Sequence, residues 1–405
     1  MTTVLEPRGA VRSCSLCWLL PTGASHDPDD RLGRSAMWEE LLHRGAGDLD
    51  SRAHADALDG LGASVSSGVD TRFIRIRATC LGERLLDLLP LVVDMVREPR
   101  FDPESIEPAR ALCVSSIRAL EDEPSERCIL RARESHAPVP FNRSGLGTVD
   151  GVGACTHEEL VLSWAECAVA DGSILALAGA FDADSVVSRL DALLEGWGGA
   201  CDEPHPRGEP TRGYHHIDDD TNQVQIVLMH DAPSEPDSDS ILERVVSSVL
   251  SGGMSGRLFT EVRERRSLCY SVSSSYATDR DFGRVTGYVG TTPERAQESL
   301  DVMLEQLDRI NTPEGRVTPD EFDRAIIGMK SRVVMSGESM ASRSGALARD
   351  VFCRGEARTL AQISAQIDAV TLDQVNDYLA RRQTGELTIC TLGPAPLRAP
   401  DRVMA

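Results

Sequence analysis

The chain repeats itself, and a sequence that repeats at a nearly constant offset must build two copies of one folding unit. The tetrapeptide SVSS occupies 64–67 and again 271–274, and Gly82-Glu83-Arg84, opening an apolar run, corresponds to Pro293-Glu294-Arg295. Phe101-Asp102-Pro103 matches Val317-Thr318-Pro319. Thr156 with Glu159, and Thr371 with Gln374, have the spacing of a helix-starting capping box, and each leads into an apolar run, 174–179 and 387–393. The offsets run from 207 to 216 residues, a drift that loop insertions explain.

Each copy is expected to run strand, helix, strand pair, helix, longer helical segment, then a capped helix and a last strand. In 71–80, Ile74, Ile76, Ala78 and Cys80 alternate with Arg75, Arg77 and Thr79, the period of a half-buried strand. The implied class is α+β: two duplicated domains, each a largely antiparallel sheet with helices packed on one face. Their boundary should lie at 198–216, where Pro, Gly and charge replace periodic apolar residues, which gives domains at 1–200 and 214–405.

At 405 residues with 41% hydrophobic side chains, the chain can bury sizeable cores. Its net charge of -22 disfavours nucleic acid and anionic membrane as partners and favours a basic or neutral polypeptide. The opening residues have no basic region followed by an apolar stretch, and the longest apolar segment, 85–96, is short and interrupted by Asp87 and Asp94. A cytoplasmic location is the expectation. Eleven scattered cysteines suit reduced thiols rather than a disulfide framework. Cys14 and Cys17 form the one CxxC, but on a strand this spacing puts them on opposite faces, as buried structural thiols. The acidic runs 121–123 and 218–220 read as solvated loop, and His215 and His216 show no metal spacing.

Five stretches together carry a family likeness: 41–67, 85–110, 117–124, 145–148 and above all 251–270, SGGMSGRLFTEVRERRSLCY. Over nearly its whole length the chain resembles the family of pitrilysin, insulin-degrading enzyme and the mitochondrial processing peptidases, whose members are built from duplicated α+β domains. Catalytic members carry an inverted zinc motif, HxxEH, in which two histidines one helical turn apart bind the metal and the glutamate activates water. The resemblance puts that motif on 36–40, AMWEE, where only Glu39, at the general-base position, is retained. Ala36 cannot coordinate a metal, Glu40 offers oxygen in place of imidazole nitrogen, and the third ligand, a glutamate, falls on Ser115 or Ser116. Glu39 and His43, at i and i+4, could share a metal, but no third ligand is evident.

The second half keeps what the first has lost. In catalytic members an arginine and a tyrosine seven residues apart bind the substrate backbone and steady the developing charge of the tetrahedral intermediate. Arg263 and Tyr270 have that spacing, and Gly252 and Gly253 open the same signature as a flexible loop. The plain alternative is that Arg263 is one of four arginines on a solvated helix and Tyr270 a core residue starting a strand. The glycines are a poor phosphate cradle, because no lysine-serine or lysine-threonine follows. The resemblance thus implies a non-catalytic, substrate-binding subunit of a heterodimeric zinc metallopeptidase, binding no metal itself. Its implied partners are a homologous chain that holds the zinc and a peptide substrate. Two other readings stand beside it: an architectural subunit without a role in proteolysis, and an autonomous metallopeptidase with an atypical metal site.

Overall fold

The computed structural model describes residues 1–400. The first copy of the repeat runs β1 Thr2–Pro7, β2 Ser13–Leu20, α1 Arg34–Leu41, a short hairpin of β3 Gly45–Ala46 and β4 Leu49–Asp50, α2 Ser51–Gly60, β5 Ser64–Val69 and β6 Ile74–Leu81. It continues through α3 Leu85–Arg97, α4 Pro103–Ala119, α5 Pro124–His136, α6 Val149–Ala154, α7 His157–Cys167, β7 Ile174–Gly179 and α8 Ala183–Leu193. The second copy runs β8 Gly213–Asp218, β9 Val224–Ala232, α9 Ser240–Ser251, a π-helix Phe259–Glu264, β10 Cys269–Thr278 and β11 Gly283–Thr291. It ends with α10 Ala296–Arg309, α11 Pro319–Glu338, α12 Met340–Arg354, α13 Leu360–Asp368, α14 Leu372–Arg381 and β12 Thr388–Gly393.

The duplication is exact at the level of topology. The first sheet has the order β1-β7-β2-β6-β5 and the second, read from the matching edge, β8-β12-β9-β11-β10. In each, the opening strand pairs parallel to the last one, and every other pairing is antiparallel. Both copies open with two strands rather than the single one expected. The extra strand, TTVLEP in the first copy, is a partly exposed edge and so lacks a clean apolar period. β8 also begins inside the stretch read as linker and takes in His215 and His216. The capping boxes divide: Thr371 and Gln374 bond reciprocally, whereas Thr156 accepts the Glu159 amide while the Glu159 carboxylate faces Arg34 and Ser163.

The compact units are not the contiguous halves 1–200 and 214–405. One comprises 1–121, 138–208 and 336–357, the other 122–137, 209–335 and 358–405. The segments that change sides are α5 and α12, the same element of the two copies. The reason lies in the central strands. β2 and β7 are buried along almost their whole length, so both of their faces need cover. Cys14, Leu16, Trp18 and Leu20 face the main core with α1, α3, α4 and α7, while Cys17, Leu19, Ala176 and Ala178 lie under Met340, Leu347 and Ala348 of α12. In the other unit Val224, Ile226 and Leu228 of β9 face the main core, and Val227 and Met229 lie under Cys128 and Ala132 of α5. The α+β class holds, with one exchanged helix on the sheet face that was expected to be bare. Cys14 and Cys17 are buried on opposite faces, as their spacing requires.

Buried ion pairs hold these helices and their neighbours. Arg343 of α12 is buried and bonds both carboxylate oxygens of Glu6 on β1. In the other unit, Glu243 of α9, fully buried, pairs with Arg382 and accepts the Tyr378 hydroxyl at 2.5 Å. Among the described residues no helix is long and apolar enough to cross a membrane. Truncating Leu347 to alanine should cost about 3 kcal/mol. Hydrogen exchange should place the lost protection on β2 and β7, strands of the other copy of the repeat, and not on β9 and β12.

Candidate functional site

α1 is positioned from its N-terminus. The Asp27 carboxylate accepts the Gly33 amide at 2.8 Å, the Ser35 amide at 2.9 Å and the Ser35 hydroxyl at 2.5 Å, which satisfies donors that the first helical turn leaves open. Met37, Trp38, Leu41 and Leu42 are fully buried, and the Trp38 indole donates to the Leu160 carbonyl at 3.0 Å. With that face fixed in the core, Glu39 and Glu40 are turned to the helix's half-exposed side.

There the two carboxylates are already engaged. Glu40 bonds Arg44 at 2.7 Å, one turn on. Glu39 accepts the hydroxyl of Ser67, on the edge strand β5, and His43 Nε2 lies 2.5 Å from the same hydroxyl oxygen. Glu39 and His43 therefore meet through Ser67. Ala36 is buried and has no donor atom. Ser115 and Ser116 are exposed on α4; the inward face of that helix carries Ile106, Ala109 and Cys113. Cys113 is close enough to Glu40 and Glu39 to feel their charge, and burial, with these carboxylates adding to it, pushes its thiol up to about 11. No three metal-binding side chains converge among the described residues. The residues at the motif do not fit a zinc ion, and no chemical step through a metal is derived for them.

The signature in the other unit is presented differently. α9 ends at Gly252, where a Cβ would lie 2.2 Å from the Ser248 carbonyl oxygen, and Gly253 follows at φ +139°, so both positions require glycine. The expected flexible loop is instead a pinned turn. Gly256 donates to the Gly253 carbonyl at 2.9 Å, and Arg257 clamps both Glu321 oxygens at 2.7 Å and bonds the carbonyls of Gly315 and Arg316. The helix expected after it is a π-helix, with the Arg265 amide reaching back five residues to the Thr260 carbonyl.

Four arginines decorate this segment, and three are committed. Arg257 holds Glu321, while Arg265 and Arg266 both bind Glu261, at 2.6 and 2.7 Å. Arg263 alone has no carboxylate partner among the described residues; its exposed guanidinium lies over the Phe259 ring at 4.9 Å. Tyr270 is 68% exposed, which rules out a core role. It sits at a bulge between Cys269 and Ser271 on β10, an edge strand. Bulges re-aim side chains at sheet edges. The turn before it is fixed at Leu268, whose carbonyl accepts the Thr291 hydroxyl at 2.5 Å.

Each unit thus gathers its own part of the expected set: Glu39, Glu40 and His43 in one, where Ser67 joins them, and Gly252, Gly253, Arg263 and Tyr270 in the other. Ser67, Cys113 and the Arg257–Glu321 clamp have no sequence signal as site residues. Ser67 was visible only as the end of a repeated SVSS, and its counterpart Ser274 is buried.

Residues 3–139 match the family model described as Insulinase (Peptidase family M16), and residues 154–329 match Peptidase M16 inactive domain. The chain belongs to peptidase family M16. The first match spans α1 and α4; the second spans the glycine turn, the π-helix and Tyr270. Among M16 relatives it is similar to an uncharacterized zinc protease of Streptomyces coelicolor, at 27% identity over 96% of this chain and 87% of that one. Its fold is similar to that of a peptidase M16 inactive domain from Pseudomonas fluorescens, with a TM-score of 0.84 at 20% identity, covering 98% of this chain and 96% of that one. It is also similar to a chain of Complex III2 from Candida albicans, with a TM-score of 0.82 at 15% identity, covering 97% and 93% of the two chains.

The clamp that sets the M16 signature's turn should be measurable. Burial alone would raise Glu321, but hydrogen bonds from Arg257 and the Thr318 amide outweigh it and hold the carboxyl at about 2. A depressed pKa contributes stability that is present above the ordinary value and lost as pH falls through the folded one. Glu321→Gln should cost ~2 kcal/mol near neutral pH, after allowance for partial exposure. In urea denaturation the gap to wild type should close as pH approaches about 2.

Proposed function

We propose that the chain is the non-catalytic, substrate-binding subunit of a heterodimeric M16 metallopeptidase acting on peptides. A homologous partner chain with intact HxxEH would hold the zinc, which would polarise the scissile carbonyl and activate water. The observation that carries this reading is a contrast. The metal-ligand positions are filled by Ala36, an ion-paired Glu40 and exposed serines, whereas Arg263 is the one arginine of its segment without a carboxylate among the described residues and Tyr270 stands in solvent.

In this role the Arg263 guanidinium donates to a peptide carbonyl and to the charge that grows on it during attack by water, and the Tyr270 hydroxyl supplies a second donor. Edge strands support the same reading, since a sheet edge binds an extended peptide through its backbone with little demand on side chains. The net charge of -22 favours basic peptides over acidic ones and gives no support to nucleic acid or membrane as partners.

Likeness to a chain of Complex III2 supports a second reading, an architectural subunit in which Arg263 and Tyr270 have no task. The two readings separate in one experiment: co-purification with a homologous HxxEH chain and peptide hydrolysis by the mixture. Arg263→Ala and Tyr270→Phe should each lower the rate by about 100-fold while the two chains still co-elute. An unchanged rate in the double variant would favour the architectural reading. Stoichiometric metal in this chain alone, with hydrolysis, would instead establish an autonomous peptidase with an atypical site.

A further inference from the structure

The thiol pair of interest is not the CxxC. Cys17 lies on the far face of β2, whereas Cys14 and Cys80 are direct partners across the β2–β6 ladder with their sulfur atoms 3.5 Å apart. Two positions outward, the Gly82 amide donates to the Arg12 carbonyl, so in the antiparallel alternation the Cys14–Cys80 pair is again a hydrogen-bonded one. Such pairs have Cα atoms about 5.5 Å apart. That is inside the range a disulfide spans, and closing the sulfurs to a bond of about 2.05 Å calls for side-chain rotation and not strand movement.

Two other thiol pairs also interact, Cys128 with Cys390 and Cys167 with Cys201, but Cys128 donates to the Cys390 carbonyl at 3.3 Å and Cys201 to that of Asp202 at 3.8 Å. Cys14 and Cys80 have each other. The Cys80 thiol's hydrogen bond lowers Cys14 against the effect of burial, and the same bond, with burial, raises Cys80. Two thiols at this separation can serve as an attacking and a resolving pair. Both side chains are buried, but the pair lies at the end of the ladder, Cys80 one residue from the last position of β6 and Cys14 one from the first position of β2. A small oxidant reaches the pair more easily than a protein would.

We propose that Cys14 and Cys80 form a reversible thiol–disulfide site, oxidised by a small hydroperoxide and reduced by a dithiol. The Cys14 thiolate attacks one peroxide oxygen; the O–O bond breaks, and with hydrogen peroxide one water leaves and a sulfenic acid remains. The Cys80 sulfur then attacks the Cys14 sulfur; the S–S bond forms, the S–O bond breaks, and a second water carries off the Cys80 proton. Two thiols are oxidised and one peroxide is reduced to two waters. Reduction runs by thiol–disulfide exchange with a dithiol, which leaves as its own disulfide. The bond closes the loop 15–79, which contains α1 with Glu39 and the edge strand with Ser67, and cross-linking a long loop restricts the unfolded chain. The site stands independently of the proposed peptidase role.

The test is wild-type protein treated with hydrogen peroxide, alkylated, and mapped by mass spectrometry without reduction. The expected result is a loss of about 2 Da and a linked peptide pair containing Cys14 and Cys80. The Tm should rise and return on adding dithiothreitol, and Cys14→Ser and Cys80→Ser should abolish both effects while Cys17→Ser keeps them. Full alkylation of Cys14 and Cys80 after peroxide would overturn the proposal. So would a link mapped to another pair, such as Cys167 with Cys201. The wild-type map decides the matter even if a serine variant fails to fold.

Discussion

Everything in this protein follows from strands that are apolar on both faces. β2, β7, β9 and β12 sit inside their sheets and are buried along nearly their whole lengths, so a single layer of helices cannot cover them. The second layer is one helix per sheet, and in each case it comes from the other copy of the repeat. α5 and α12 do the same job in the two copies, which makes the exchange symmetric. The buried Arg343–Glu6 pair ties α12 to the unit it joins. Removing one partner of such a pair costs far more than forming it gains, so the exchange is specified as well as stabilised.

The same core explains how α1 holds its place with no metal ligand at Ala36. α1 is held by four fully buried side chains and an N-terminal carboxylate, none of which depends on an ion. Its half-exposed residues form a network in which Arg44 takes Glu40, while Ser67 joins Glu39 and His43. Hydrogen bonds now satisfy the polar groups beside the buried Ala36. Across the repeat, the corresponding strand and helix region is shaped for display: a glycine turn with no room for a side chain at Gly252, a clamp at Arg257, a π-helix, and a bulge under Tyr270.

Which arginine matters in 257–266 is a question of charge pairing that spacing alone does not answer. The family likeness singles out Arg263 for the role proposed above, and charge pairing sets it apart from its neighbours, since each of them has a glutamate and it has none among the described residues. For Tyr270 the competing idea of a core residue falls to its exposure.

The sequence by itself determined the duplication, the α+β class and the absence of ligand chemistry at Ala36, because these depend on residue identity and on local period. It also put Cys14 and Cys17 on opposite faces, since a strand's period of two is a local property. Only the tertiary structure decided that α5 and α12 change partners, because an apolar face declares that it needs cover and not which segment covers it. The meeting of Ser67 with Glu39, of Glu321 with Arg257 and of Cys80 with Cys14 was likewise decided there. Each joins residues that no local period relates, brought to hydrogen-bond distance by the packing of a helix on an edge strand, the folding of a turn against a distant helix, and the register of two strands.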